Sequence, residues 1–383
     1  MSSAKPSLEL LRSLTEEHVL RALMDHPRLT RAEIAAVTGI SKPTISDGVR
    51  RLVDLGLVVD TGEWSTGRGR AGSYHALAPG CGTALVVSIT PQGVTAESVD
   101  PFGTVVASSD VPLDRSAGAY AVTPALRTAL GRVVSGSGRR LRLGVVSAAD
   151  PVDRDTGRLV HLPDAPFLVG DLDPRAVLAS AVEGPVLVDN DVNWAARAEQ
   201  AAGQAGAAGG SADFVYLYLD EGLGCAVVSD GEVRRGHSGL AGEIAHLVTE
   251  GPEGRAVRLT EVFARLGLRR PGSTAVDVEQ VRSRFADASD GDPTLGALAT
   301  AVSGVLEAVT ALADPEVVVL GGGWGREAAF VDELRRRSAA LPRTVPVVPA
   351  LVDREPQLSG ARAAALEQLR ELVVATVRRP DRV

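Results

Sequence analysis

Lysine is almost missing from this 383-residue chain: Lys5 and Lys42 are the only two, and arginine supplies the rest of its 40 basic residues. Aromatics are equally scarce, at 3%. The matching abundance of Ala, Val, Leu, Gly and Arg reads as GC-rich coding and carries no mechanistic weight. Two cysteines, Cys81 and Cys225, lie far apart with no metal-type spacing. They exclude a disulfide framework and read as structural thiols of a reduced protein. No apolar run reaches the roughly 18–20 residues of a membrane span. The N-terminus lacks the basic-then-apolar pattern of a signal peptide. A cytoplasmic chain with no membrane partner is therefore expected. A net charge of −8 argues against a protein that coats nucleic acid along its whole length.

What is present is unevenly distributed. The length suggests two or three units, and a hydrophobic content of 45% is enough for ordinary cores. Residues 1–80 carry 10 Lys+Arg against 9 Asp+Glu, whereas the rest carries 30 against 39. A neutral-to-basic head on an acidic body fits a local contact with DNA.

The head reads as three short helices. Thr15 is read as the cap of the first, with Val19, Leu20 and Leu23 at helical spacing and Pro27 as its stop. Thr30-Arg-Ala-Glu33 is a capping box that opens the second. Gly39 supplies a turn, Ser41 caps the third helix, and Pro43 is tolerated in its first turn. Ile45, Val49 and Leu52 form a buried stripe, and Gly56 ends the helix. This order is a helix-turn-helix, whose last helix meets base edges with its N-terminal residues. Here those are Lys42, Pro43, Thr44, Ser46 and Asp47, followed by Arg50 and Arg51 for phosphates. Residues 57–59, 64–70 and 74–77 read as a hairpin, or wing. Its tip, Gly67-Arg68-Gly69-Arg70, offers guanidinium groups to a minor groove or is simply a solvated turn.

Beyond Pro79-Gly80, strands are predicted at 84–89, 94–99, 105–106, 143–146, 186–188, 214–219, 225–229 and 317–320. Ala-rich helices separate several of them, which indicates α/β architecture. Residues 201–211 and 287–293 read as surface loops.

Three segments in this body, in this order, resemble the ROK family of repressors and sugar kinases. They are Asp153-Arg-Asp-Thr-Gly157 with Leu162-Pro-Asp-Ala-Pro166, then Val188-Asp-Asn-Asp-Val-Asn193, then Arg235-Gly-His-Ser-Gly-Leu-Ala-Gly-Glu-Ile-Ala-His246. The resemblance implies an actin/hexokinase-like two-lobed domain over residues 79–383, preceded by a small winged helix-turn-helix over 1–78. Lobe 1 is expected at about 82–190 plus a C-terminal helix over 359–377, and lobe 2 at about 191–355. It also implies a sugar pocket of Asp164, Asn190, Asp191, Glu243, His246 and Glu261. Asp164 stands where the family has Asn. Carboxylates, amides and imidazole suit a ring of hydroxyls, each both donor and acceptor.

The resemblance also fails in specific places. Ser88-Ile-Thr-Pro-Gln92 replaces the family's first phosphate loop, losing its acidic residue and its glycines. The second loop carries Asp220 and Glu221 where kinases have Gly and Thr. No cysteine lies between Leu247 and Thr260, so the family's zinc run is gone and His246 has no partner ligands. Ala149-Asp150 replaces a Pro-Gly turn. The expected function is a sugar-responsive repressor that binds operator DNA as a homodimer or a dimer of dimers, with neither cofactor nor kinase activity. The alternatives are an active sugar kinase with a DNA-binding head, and a regulator whose body is only a scaffold.

Overall fold

The computed structural model describes residues 8–65, 71–114, 119–162, 172–203, 211–286 and 292–378. The head is α1 (Leu8–Asp25), β1 (Leu29–Thr30), α2 (Arg31–Thr38), α3 (Lys42–Asp54), β2 (Val58–Trp64) and β3 (Ser73–Leu77). The capping box forms: the Thr30 hydroxyl accepts the Glu33 N–H at 3.3 Å, and the Glu33 carboxylate accepts the Thr30 N–H at 2.7 Å. Gly39 ends α2 in the left-handed region, with φ +71°. Ile45, Val49 and Leu52 on α3 are fully buried. The three strands make one antiparallel sheet in the order β1-β3-β2. One expectation fails here. Thr15 caps nothing, because α1 already begins at Leu8, and the Thr15 hydroxyl donates to the Leu11 carbonyl one turn back at 3.0 Å. A threonine satisfies itself this way inside a helix as readily as it caps one.

Two five-stranded sheets follow, built on one plan. The first contains β4 (Thr83–Thr90), β5 (Gly93–Val99), β6 (Val105–Pro112), β7 (Leu141–Ala148) and β8 (Val186–Asn190), with α4 (Val122–Ser137) and the short α5 (Pro174–Leu178) between strands. After α6 (Asp191–Ala201) come β9 (Phe214–Leu219), β10 (Leu223–Ser229), β11 (Glu232–Val233), β12 (Val248–Glu250), β13 (Ala256–Arg258), α7 (Leu259–Arg265), α8 (Val278–Ala286), α9 (Thr294–Ala313), β14 (Val317–Gly321), α10 (Ala328–Ser338), β15 (Val347–Pro349) and α11 (Pro356–Arg378). The sheet orders are β6-β5-β4-β7-β8 and β11-β10-β9-β14-β15. In each, three antiparallel strands are extended by two parallel ones. The central strands are covered on both faces, which is why they read as continuous apolar runs.

The helix α9 reaches the length and hydropathy (1.7) of a membrane span, although Glu307 interrupts its apolar run. Its Leu298, Val302, Val305 and Leu306 are buried in the core of the second lobe.

The helix α11 crosses back to the first sheet and lies along α6. Its Leu369, Val373 and Val377 belong to one apolar cluster with Val19, Leu20 and Leu23 of α1, Ala84 and Val86 of β4, and Trp194 of α6. Each such buried side chain contributes roughly 1.5–3 kcal/mol. Ion pairs rim this contact: Arg21 to Glu371 at 2.9 Å and Arg378 to Glu17 at 2.7 Å. Packing therefore runs without a break across the predicted boundary at Pro79-Gly80.

Candidate functional site

The same ends of the two sheets face each other across a cleft enclosing about 160 Å³. Its walls are the β4–β5 turn (Thr90 to Gln92), the segment after β7 (Ala149, Asp150), the start of α6 (Asn190, Asp191), the β9–β10 turn (Asp220 to Gly222), the loop that carries Glu243 and His246, and Gln357 in the first turn of α11.

Local sequence fixes each wall. Asn190 caps α6: its Oδ1 accepts the Val192 N–H at 2.9 Å, and its Nδ2 donates to the Asp150 carbonyl at 3.2 Å. The amide thus ties the Asp150 turn to Asp191. Asp189 beneath it accepts from Asn193 at 2.8 Å and pairs with Arg235 at 2.5 Å. Two glycines let the Glu243 loop come in close. A Cβ on Gly239 (φ +92°) would meet the Val152 carbonyl at 2.0 Å, and one on Gly242 (φ +95°) would meet the Cys225 carbonyl at 1.8 Å.

The electrostatics of the cleft are those of crowded carboxylates. Asp150 is 2% exposed, and its Oδ2 has no hydrogen-bond partner among the described residues. Burial first, then Asp191 and Glu243, push its carboxyl up to about 8. Burial, opposed by the Val192 N–H and reinforced by Glu243 and Asp220, brings Asp191 up to about 7. Burial alone brings Glu243 to about 7. The Nδ1 of His246 is buried without a hydrogen-bond partner among the described residues.

Asp220 has a different setting. Its Oδ1 accepts the Glu221 N–H at 2.7 Å, and its Oδ2 accepts the Gly323 N–H at 2.6 Å. Backbone donors of this type bind phosphate in nucleotide sites. Here the chain's own carboxylate takes them. On the far side of Asp220, Arg282 pairs with Glu327 at 2.6 Å, and Arg326 pairs with Asp353.

The residues present do not fit zinc: no three His, Cys, Asp or Glu side chains among the described residues converge on a metal position. The segment that carries the zinc run in relatives folds instead as the β12–β13 hairpin. The hydroxyl of Thr249 donates to the Ala301 carbonyl at 2.6 Å, which pins the hairpin to α9.

The cleft brings together Asn190, Asp191, Glu243 and His246. It does not include Glu261, which is exposed. At 100° per residue, Thr260 and Phe263 of α7 face the cleft and Glu261 turns away. Asp164 lies outside the described residues, as do Arg68 and Arg70. On α3, Lys42, Pro43, Thr44 and Arg50 are exposed and Ser46 is half-buried. Arg50 pairs with Asp47 at 2.7 Å. Arg51 turns inward to Glu16 of α1 at 2.5 Å. Asp150, Asp220 and Gln357 line the cleft in addition to the expected site residues. The signal for the two aspartates was there, as charges replacing turn residues, whereas nothing marks Gln357 along the chain.

Residues 103–366 match the ROK family, and residues 13–68 match the MarR family. The bifunctional enzyme NanE/NanK of Brucella suis is 34% identical over 166 residues, covering 41% of this chain and 30% of that protein. The xylose repressor of Bacillus subtilis is 20% identical over 253 residues, covering 63% of this chain and 62% of the repressor. The chain thus spans less than two thirds of the length of either. A solved ROK family transcriptional regulator, a homolog of the E. coli MLC protein, superposes with a TM-score of 0.62 at 18% identity, covering 95% of this chain and 99% of that one. The two-lobed body with its cleft, and the match across most of its length, place this chain in the ROK family, with a MarR-type winged-helix DNA-binding domain at its head.

Proposed function

We propose that this chain is a transcriptional repressor of carbohydrate-metabolism genes, controlled by a sugar or sugar derivative bound between the lobes. One observation carries the proposal: α11 joins the cleft to the head. Gln357 lines the cleft at its start, and near its end Glu371 and Arg378 hold Arg21 and Glu17 of α1. The 23 residues of α11 span about 34 Å. In turn α1 holds α3 through Glu16 and Arg51. A ligand that moves the lobes tilts the platform under α3. In a two-fold dimer this changes the spacing of two heads on adjacent major grooves and releases the operator. The device works only because the ligand binds the two lobe arrangements with different affinity.

A second reading, a sugar kinase with a DNA-binding head, is favoured by Asp191. A carboxyl brought up to about 7 is suited to accept a hydroxyl proton. Against it stands Asp220, whose carboxylate takes the amide donors that a transferred phosphoryl group needs.

The test is fluorescence anisotropy on operator DNA selected from a random pool, with a panel of neutral and amino monosaccharides. At least one sugar weakens DNA binding about tenfold or more. Glu243→Ala and His246→Ala abolish that response and leave ligand-free DNA affinity intact. Variants that respond like the wild type sink the pocket assignment. ATP turnover that vanishes in Asp191→Asn replaces the repressor reading with the kinase.

A further inference from the structure

Among the described residues, the cleft supplies no strong cation of its own. None of the described residues that line it is Lys or Arg, while Asp150, Asp191, Asp220, Glu221 and Glu243 all do. Two of these five are accounted for: Asp220 by backbone amides, and Glu221 by Arg270 at 2.9 Å. The other three face the cleft together. Asp150 is the most constrained. It is 2% exposed, its backbone is tied to Asn190, and its Oδ2 lacks any partner among the described residues. A buried carboxylate normally has a charged or hydrogen-bonding partner, because leaving it without one is costly. A metal ion does not supply it, since no metal-type cluster forms among the described residues. A neutral sugar offers hydroxyl donors but no charge to offset three crowded carboxylates.

We infer that the effector is a cationic sugar: a monosaccharide with a free, protonated amino group whose N–H donors meet Asp150, flanked by Asp191 and Glu243. This rests on the sugar-site reading above and names its ligand class. An ammonium held by a carboxylate carries charge on both donor and acceptor, and its hydrogen bonds are stronger than those from a neutral hydroxyl. Among the described residues, the titratable groups that line the cleft with Asp150 are Asp191, Asp220, Glu221, Glu243, His246, Tyr218 and Cys225. With Asp150 at about 8 and two neighbours at about 7, the empty cleft holds protons at neutral pH that an ammonium expels.

The test is isothermal titration of the full-length chain, in the presence of a chelator, with glucose, N-acetylglucosamine, and hexoses bearing a free amine at C2, C3 or C6. At least one amino hexose binds about tenfold or more tighter than glucose. Its binding releases protons, read from titrations in two buffers of different ionisation enthalpy, and glucose binding does not. Asp150→Asn, nearly isosteric, removes the amine's advantage over glucose. If a neutral sugar binds as tightly as the best amine, or the advantage survives in Asp150→Asn, the cationic ligand is wrong and the sugar site stands. If no sugar of either kind binds, both fail together.

Discussion

Gly360 of α11 lies so close to Trp194 of α6 that a Cβ on it would come within 1.9 Å of the Trp194 carbonyl oxygen. The obstacle is backbone, which cannot rotate away. Trp194 is itself held, fully buried, with its Nε1 donating to the Val146 carbonyl at 3.0 Å. Gly360→Ala therefore pushes α11 off α6, with an overpacking cost of about 1–3 kcal/mol. Gly131 on α4 is the control, since a Cβ there meets nothing within 4 Å. Gly131→Ala is neutral or stabilising by up to about 1 kcal/mol. Thermal unfolding of the two variants checks this. Equal melting temperatures would mean that the α6–α11 contact is not tight.

The arginines of α3 have separable duties. Arg51 holds Glu16, which is 7% exposed, whereas Lys42 and Thr44 lie open at the start of the helix. Arg51→Ala leaves Glu16 with a lost partner and costs the head about 1–3 kcal/mol. Lys42→Ala leaves the melting temperature unchanged, weakens DNA binding, and lowers the slope of log affinity against log salt by about one. A Lys42→Ala protein with unaltered salt dependence would remove Lys42 from the DNA contact.

The parts of this fold that were legible share a physical cause. The strands from β4 to β14 with apolar interiors had to be apolar on both faces, and the capping box at Thr30 is a local device written in four residues. The β12–β13 hairpin was not legible, because each strand has three residues of alternating exposure held by tertiary contact with α9. The site divides in the same way. Asn190 and Asp191 sit in a compact motif fixed by the Asn190 cap on α6, and Glu243 and His246 in one whose glycines let the loop come in close. Glu261 lies outside the cleft because the helical phase of α7, set by Leu259, Val262 and Phe263, turns it outward. Gln357 was hidden because only the return of α11 to the first lobe brings it to the cleft.

Asp220 should act as a built-in anion. Its two oxygens occupy the Glu221 and Gly323 amides, and a carboxylate repels phosphate from the same donors. Asp220→Gly frees both amides and removes the charge. The expected result is ATP binding at least about tenfold tighter than wild type by titration calorimetry. The wild type shows no saturable binding up to about 1 mM, a free energy of about −4 kcal/mol. Equal ATP affinity in the two proteins would show that the carboxylate blocks nothing.

The carboxylates of the cleft set the sign of stability against pH. Asp150 stands at about 8 in the folded chain against 3.8 for an ordinary aspartate, and Asp191 and Glu243 are raised to about 7. Between the ordinary and the raised values the folded state holds more protons than the unfolded one, so stability falls as pH rises through this window. Glu199, raised by burial, acts in the same sense, and the opposing groups leave the upper half clear. His75, lowered chiefly by burial, acts in the opposite sense, but only below its ordinary 6.5. The lowered carboxyls of Glu17, Glu183 and Glu333 act below 4.5. Cys81 and Cys225, raised by burial to about 11 and about 12, act above 9. The ligand-free chain should therefore lose melting temperature between about pH 6.5 and about pH 8.5. Asp150→Asn should flatten that slope and be more stable than the wild type at the upper end. An upward slope in the wild type, or one that Asp150→Asn leaves unchanged, would mean that Asp150 does not hold a proton in the folded chain.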